Sequence, residues 1–209
     1  MRTIINKAFI AISMIFMVLP LMVQADDAMA EPQVIIKDAT DRMLQSLKDN
    51  KAQLEEDSSL IYGLVQDILI PNFDFNKMSK LALGKNWRKA TVEQRENFTE
   101  EFRWLIIRTY STAMLEYSDE TIEMLPFHDD VAKKKVKVHM EILQSGGPSI
   151  PMTLAMYLNK EESWKVYDVK IDGISLVTNY RSAYAKEIRI DGMDKLIERL
   201  ASRNEKAKT

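Results

Sequence analysis

The chain of 209 residues contains no cysteine and only two histidines. The lack of cysteine excludes disulfide bonds, thiolate nucleophiles, thiolate metal sites and the lipidated cysteine of a bacterial lipoprotein. His128 lies in a predicted loop and His139 on the polar face of a predicted strand, and neither has a second histidine near it in a metal-binding spacing. We therefore expect surface roles for both histidines, no metal site and no cofactor.

Glycine is scarce, and the chain has no excess of positive charge. The six glycines are spread along the chain, and the pair Gly146-Gly147 belongs to a predicted hairpin turn, so no phosphate-binding loop or Walker motif is present. The 29 basic residues are outnumbered by 31 acidic ones, which argues against nucleic-acid binding. A hydrophobic content of 46% with 29% charged residues is typical of a globular domain with a sizeable core.

The N-terminus has the pattern of a secretory signal peptide. Arg2 and Lys7 precede the uncharged residues 8–23, a stretch shorter than the ~20 apolar residues that span a membrane. Cleavage is expected after Ala25, because Pro20 ends the hydrophobic helix just before it; cleavage after Ala30 and an uncleaved anchor are the alternatives. We predict a signal peptide over residues 1–25 and a soluble mature protein in the periplasm.

The first part of the mature chain has helical periodicity. Apolar residues recur every three or four positions in residues 32–48, 60–69, 75–82 and 92–117. The expected N-terminal caps are Ser58 or Ser59 for the second helix, Asp74 for the third, and Thr91 with Gln94 in a capping box for the fourth, while Gly84 is placed to end the third helix.

After residue 118 the apolar period changes from four to two. Alternating residues predict a hairpin of strands 135–142 and 150–158, a third strand over 164–171 and a possible fourth over 121–125. Two closing helices, 176–188 and 193–201, follow. The expected fold is a single α+β domain in which N-terminal helices pack on a curved antiparallel sheet with closing C-terminal helices.

Asp168 is the acidic residue that most resembles a catalytic base, because it lies within an otherwise apolar strand. It has no obvious acid or oxyanion partner. We favour a structural role in which Asp168 bonds to backbone amides or pairs with Arg108 or Arg181. Ser175 has no nucleophile-elbow pattern around it and is interpreted as a helix cap.

Two blocks of sequence resemble the MlaC or toluene-tolerance family of periplasmic phospholipid carriers. One is SWKVYDVKIDGISLVTNYRSAYAKEI, which begins at Ser163; its strand, Asp172-Gly173 turn and helix follow that family's order. The other spans residues 73–117 and contains the Leu-Gly-x-x-Trp turn that begins at Leu83, the Thr-x-x-Gln-Arg helix start at Thr91 and the Thr109-Tyr110 pair. The resemblance covers about residues 32–200, and we assign residues 31–203 to an MlaC-like lipid-binding domain.

The resemblance implies a carrier without catalytic residues or enzymatic activity. Its ligand would be a phospholipid, held by its acyl chains in an apolar cavity and shuttled between the outer and inner membranes to maintain outer-membrane lipid asymmetry. Its implied partners are an outer-membrane lipoprotein complex and an inner-membrane ABC transporter complex of the Mla type. No nucleic-acid partner is expected, because acidic residues outnumber basic ones.

The expected cavity lining combines one face of the hairpin with neighbouring helical residues. Methionine suits such a wall because it adapts to irregular shapes, although periodicity alone fits an ordinary packed core as well. The predicted lipid-binding residues are Tyr110, Met114, Val138, Met140, Met152, Leu154, Met156, Ile174, Tyr180 and Tyr184. Lys85, Arg88 and Lys89 are expected near the mouth, where they would meet phosphate or an acidic partner, or form a solvated surface.

Two other function classes remain open from the residues alone. One is a small α+β hydrolase or isomerase that uses Asp168 and a tyrosine. The other is a periplasmic chaperone or adaptor that grips protein on its apolar faces.

Overall fold

The computed structural model describes residues 29–116, 121–144 and 146–208. The predicted signal peptide lies outside these ranges, as does Tyr117 at the end of the fourth predicted helix. In the part of the chain that is described, no helix is both long enough and apolar enough to cross a membrane.

Within the described ranges five helices precede the sheet, and they confirm the four predicted helical segments with one short addition. The added helix is α2, which follows α1 almost without a break. Single 3₁₀ turns follow α3 and α4, over Ile70–Asn72 and Gly84–Arg88. The helices are α1 (Glu31–Asp49), α2 (Lys51–Glu56), α3 (Leu60–Ile68), α4 (Phe75–Leu83) and α5 (Val92–Glu116).

The caps of α4 and α5 are as the sequence predicts. Asp74 Oδ1 accepts a hydrogen bond from the Lys77 amide at 2.8 Å. Thr91 Oγ1 accepts from the Gln94 amide, and Gln94 Oε1 accepts from the Thr91 amide, both at 3.1 Å, which completes the capping box.

The predicted serine cap of α3 is wrong. Ser59 already has a helical backbone, with φ −70° and ψ −21°, and makes no cap hydrogen bond. Its amide and hydroxyl instead donate to Asp57 Oδ1, at 2.9 and 2.7 Å. Because a side-chain cap needs an extended backbone at the cap residue, the hydroxyl of Ser59 cannot reach the amides ahead of it.

The sheet is an antiparallel meander in which each strand pairs with the next along the chain. The possible fourth strand is present as the first strand of the sheet, and a two-residue edge strand that was not predicted follows the Asp172-Gly173 turn. The strands are β1 (Thr121–Met124), β2 (Lys135–Leu143), β3 (Ile150–Leu158), β4 (Trp164–Ile171) and β5 (Ile174–Ser175).

A β-bulge in β4 shifts the register of this strand against β3 by one residue. Ala155 pairs with Asp168 and Met156 pairs with Val166, so Tyr167 has no partner in β3. Val166 and Val169 therefore both face the core, and Asp168 is directed to the opposite face beside the start of the next helix.

Two helices close the fold, α6 (Leu176–Asp191) and α7 (Met193–Lys208). Ser175 caps α6 as predicted, since its Oγ accepts from the Thr178 amide at 3.2 Å. α7 packs along α5, where the buried Asn204 donates its Nδ2 to the Glu101 carbonyl oxygen at 2.8 Å. The single α+β domain with a covered antiparallel sheet is thus confirmed.

Asp168 connects β4 to the first turn of α6. It is only 8% exposed, and its two carboxylate oxygens accept hydrogen bonds from Ser175 Oγ at 2.7 Å and from the Val177 amide at 3.3 Å. Of the two structural alternatives, the structure shows the bond to a backbone amide, while Arg181 donates its Nε to the Leu81 carbonyl at 2.8 Å.

Asp168→Ala is expected to lower the free energy of unfolding by about 1–3 kcal/mol, because it leaves a buried amide and a hydroxyl without their acceptor. Urea denaturation followed by circular dichroism measures the change. The matched control is Asp67→Ala, an exposed aspartate on α3, for which a change within about 0.5 kcal/mol is expected. Equal effects of the two substitutions would contradict the structural role of Asp168.

Candidate functional site

A cavity of about 360 Å³ lies between the inner face of the sheet and the helices α1 and α5. Among the described residues that line it, none is charged, and only Thr40, Asn72 and Tyr110 carry a polar side-chain group. The lining residues are Ile36, Ala39, Thr40, Met43, Leu44, Leu47, Leu69, Asn72, Phe73, Tyr110, Ala113, Met114, Ile122, Met140, Ile142, Ile150, Met152, Leu154, Val169 and Ile171.

α1 forms one long wall of the cavity because its apolar residues fall on one face. Ile36, Ala39, Met43 and Leu47 follow one another at steps of three or four residues, which places them on a single stripe of the helix. The start of α1 is held to the sheet by Gln33, whose Nε2 donates to the Leu125 carbonyl at 2.9 Å.

The sheet forms the opposite wall through residues that face each other across neighbouring strands. Met140 is directly opposite Met152 in the pairing of β2 with β3, and Ile142 is opposite Ile150 nearer the hairpin turn. Because side chains alternate between the faces of a strand, this register directs all four side chains to the cavity side.

α5 contributes Tyr110, Ala113 and Met114, which share one face of the helix. Burial, and to a lesser degree the neighbouring Tyr180, raises the pKa of Tyr110 to about 12. The phenol, which is neutral at physiological pH in any case, therefore keeps its proton to higher pH. With no charged group in its described lining, the cavity suits an apolar ligand and would penalise a charged group placed inside it.

The structure brings half of the predicted lipid-binding residues together in the cavity wall: Tyr110, Met114, Met140, Met152 and Leu154. Val138 and Met156 lie on the same sheet face but are fully buried further along it. There they pack in a core cluster with Trp164 and Val166, and they are not among the residues that line the cavity. The register of the strands places all these residues on one face, but only packing decides which of them meet a void.

Ile174, Tyr180 and Tyr184 are not among the residues that line the cavity. Ile174 is in the edge strand β5 and is 61% exposed. Tyr180 and Tyr184 project from α6 into an aromatic cluster with α5, where Tyr180 meets Phe102 edge-on at 5.3 Å and Tyr184 meets Phe98 edge-on at 5.5 Å. These two tyrosines hold α6 against α5.

The residues of α1 that line the cavity were not among the predicted site residues, and neither was Ile122 of β1. The amphipathic stripe of α1 is visible in the sequence, but a stripe shows only that one face is covered. It does not show whether that face meets side chains or a void, and that depends on the distance between α1 and the sheet.

The basic residues expected near the mouth are not part of the cavity. Lys85 and Lys89 line a separate surface groove with α6, and Arg88 is exposed beside them. The outer face of the sheet carries His139, whose Nδ1 lies 3.1 Å from Thr153 Oγ1. Within the described ranges no three histidine, cysteine, aspartate or glutamate side chains are grouped so as to hold a metal ion.

The sequence pattern of the family described as "MlaC protein" matches residues 37–202. The chain belongs to the MlaC family. It is 30% identical over 180 residues to the toluene tolerance protein ttg2D of Pseudomonas putida, a match that covers 85% of this chain and 83% of that protein. It is 24% identical over 176 residues to the intermembrane phospholipid transport system binding protein MlaC of Haemophilus influenzae. This match covers 83% of this chain and 82% of that protein.

A solved member of the same fold contains a ligand. The phospholipid-binding protein from Ralstonia solanacearum, in complex with a phospholipid, superposes with a TM-score of 0.77 at 26% identity. The superposition covers 86% of this chain and all of that one. This likeness supports the α+β fold described above.

Tyr184 is expected to make stability fall at alkaline pH. Burial raises the pKa of its phenol well above the usual value. The folded protein therefore keeps a proton that the unfolded chain releases above about pH 10, so the free energy of unfolding decreases as pH rises beyond that value.

Tyr184→Phe removes this titration and is expected to reduce the loss of stability between pH 9 and 11.5, measured by urea denaturation. The Tyr184 hydroxyl has no hydrogen-bond partner among the described residues, so the substitution should not lower stability at pH 7. An unchanged pH dependence in the variant would contradict the assignment.

Proposed function

We propose that this MlaC-family protein binds a phospholipid by its acyl chains in the cavity and carries it through the periplasm between the outer and inner membranes. The observation that carries the proposal is the apolar cavity, whose described lining has no charge, in a fold shared with a phospholipid-bound structure.

The physical need for such a cavity follows from the insolubility of acyl chains. Each methylene group removed from water contributes about 0.8 kcal/mol, so roughly thirty chain carbons gain on the order of 20 kcal/mol as an upper limit. Free diffusion of the lipid is therefore negligible. A volume of about 360 Å³ falls within the usual range of ligand pockets, and four methionines, Met43, Met114, Met140 and Met152, give the wall an adaptable surface.

The head group is expected to remain outside the cavity, in water. The described lining has no lysine or arginine that would pair with a phosphate, and a phosphate buried there would lose its hydration without compensation. The site therefore recognises acyl chains and places little demand on the head group.

The proposal includes no catalytic step. Asp168, the residue considered as a base, has its carboxylate oxygens engaged at the start of α6 and does not line the cavity. A hydrolase that uses Asp168 would have to break these hydrogen bonds and bring the carboxylate to the opposite face of the sheet.

We further propose that the protein is exported by its signal peptide and exchanges lipid with an outer-membrane lipoprotein complex and an inner-membrane ABC transporter of the Mla type. The name of the Haemophilus influenzae relative, which assigns it to an intermembrane phospholipid transport system, supports this placement. The energy for directional transport would come from the transporter, since this chain has no Walker motif.

The function is tested by purifying the mature chain without detergent, extracting it with organic solvent and analysing the extract by mass spectrometry. We expect diacyl phospholipid in near-stoichiometric amount. Its consistent absence from native preparations would contradict the carrier function, and a copurifying polypeptide in its place would favour the chaperone alternative.

The cavity is tested by placing a charge in its wall. Met152→Arg and Tyr110→Arg are each expected to reduce retained phospholipid at least tenfold, because a guanidinium among apolar side chains would be desolvated by a bound acyl chain. The matched control is Ile174→Arg, which adds the same charge at an exposed position outside the cavity and should retain lipid. Circular dichroism checks that all three variants are folded; full retention in both cavity variants would show that the lipid binds elsewhere.

A further inference from the structure

A second concave site lies on the surface between the turn after α4 and the last part of α6. This basic groove has a volume of about 430 Å³ and is lined by Lys85, Asn86, Lys89, Ala185, Lys186, Ile188 and Arg189. It shares no lining residue with the apolar cavity. Its four described charged lining residues are all cations: Lys85 and Lys89 from the turn, and Lys186 and Arg189 from α6.

The four cations are not neutralised by their surroundings. Their side chains make no ion pair or hydrogen bond with any other residue in the part of the chain that the structure describes. Glu187, the acidic residue of α6 nearest to them in sequence, instead pairs with Arg199 of α7. The groove thus concentrates positive charge on a protein whose sequence carries a net charge of −2.

The sequence around the turn has the same bias. Residues 75–92 contain five basic residues, Lys77, Lys80, Lys85, Arg88 and Lys89, and no aspartate or glutamate. A solvated surface usually mixes both signs, as the rest of this chain does. Two of the five, Lys85 and Lys89, line the groove. Cations gathered in a concavity are typical of a surface that meets the opposite charge.

The backbone of the turn is held in place by other arginines. Arg95 donates its Nε to the Trp87 carbonyl at 2.9 Å. Arg181 donates to the Leu81 carbonyl at 2.8 Å, and its side chain passes so close to Gly84 that a Cβ there would lie 3.2 Å from Arg181 Cδ. With a φ of +54° at Gly84 as well, this position favours glycine. The backbone that carries Lys85 and Lys89 is therefore anchored, so little backbone entropy is lost there on binding.

We propose that the basic groove is a docking site for an acidic segment of a partner protein. A concave site suits carboxylate side chains that enter it, whereas a bilayer surface is broad and would contact only the rim. Asn86, which is 8% exposed, lines the groove with these cations and carries a side-chain amide. It offers a directional polar contact to an entering chain.

The groove and the cavity would act separately. No cation of the groove lines the cavity, so occupation of the groove does not require a lipid to be present or absent. The inference therefore does not depend on the proposed lipid-binding function, and the two can fail independently.

The test measures binding of a fluorescein-labelled octaglutamate peptide by fluorescence anisotropy at 50 mM NaCl. The variant Lys85→Gln/Lys89→Gln/Lys186→Gln/Arg189→Gln is expected to weaken binding at least tenfold. The control Lys48→Gln/Lys51→Gln/Lys160→Gln/Lys170→Gln removes the same charge from exposed positions elsewhere and should stay within twofold of the unaltered chain. The double variant Lys85→Gln/Lys186→Gln changes one residue on each side of the groove and perturbs the protein less. It is expected to weaken octaglutamate binding at least threefold.

Equal weakening by the groove and control variants would overturn the proposal, since binding would then follow net charge alone. Vesicles of phosphatidylglycerol and phosphatidylcholine form a second arm. Groove-dependent binding to these vesicles without groove-dependent binding of octaglutamate would also overturn it, in favour of a membrane surface. Retained phospholipid, measured by mass spectrometry, is expected to be the same in both variants; its loss only in the groove variant would show that the groove belongs to the lipid site.

Discussion

The inner face of the sheet must be shielded from water, and the extent to which helices fill the space above it governs the rest of the structure. Near Val138 and Met156 the space is filled by a packed core that includes Trp164. Toward Met140 and Met152 the same face meets a void, with α1 and α5 as its other walls. One sheet face therefore provides both stability and a binding cavity, because its two ends are covered to different degrees.

The distribution of charge separates the two concave sites of the molecule. The cavity has an uncharged described lining, and burial raises the pKa of the Tyr110 phenol there to about 12. The basic groove lies where α6 meets the turn after α4, with the lysines and Arg189 facing solvent. A carrier with this arrangement can hold an apolar ligand inside and meet an acidic surface outside without either contact disturbing the other.

Local sequence signals predicted the elements whose structure is decided locally. The capping box at Thr91, the Asp74 cap and the β2–β3 hairpin each depend on residues close together in the chain, and each is present. The structure differs from the expectations where a second partner competes for a side chain, where an element is very short, or where elements distant in the chain pack together. Ser59 is drawn to Asp57, the edge strand β5 has only two residues and too little pattern to detect, and Tyr180 and Tyr184 pack on α5 rather than facing the void.

The one-sided apolar pattern of the strands, the amphipathic stripe of α1 and the blocks that resemble the MlaC family can all be read along the chain. Those features depend on side-chain periodicity and short-range hydrogen bonds between neighbouring residues. The packing of the folded chain, in contrast, sets that Met140 and Met152 line a cavity while Val138 and Met156 are packed, and that Lys85 and Lys186 share one groove. These outcomes depend on the distances between elements far apart in the chain, and no local pattern specifies those distances.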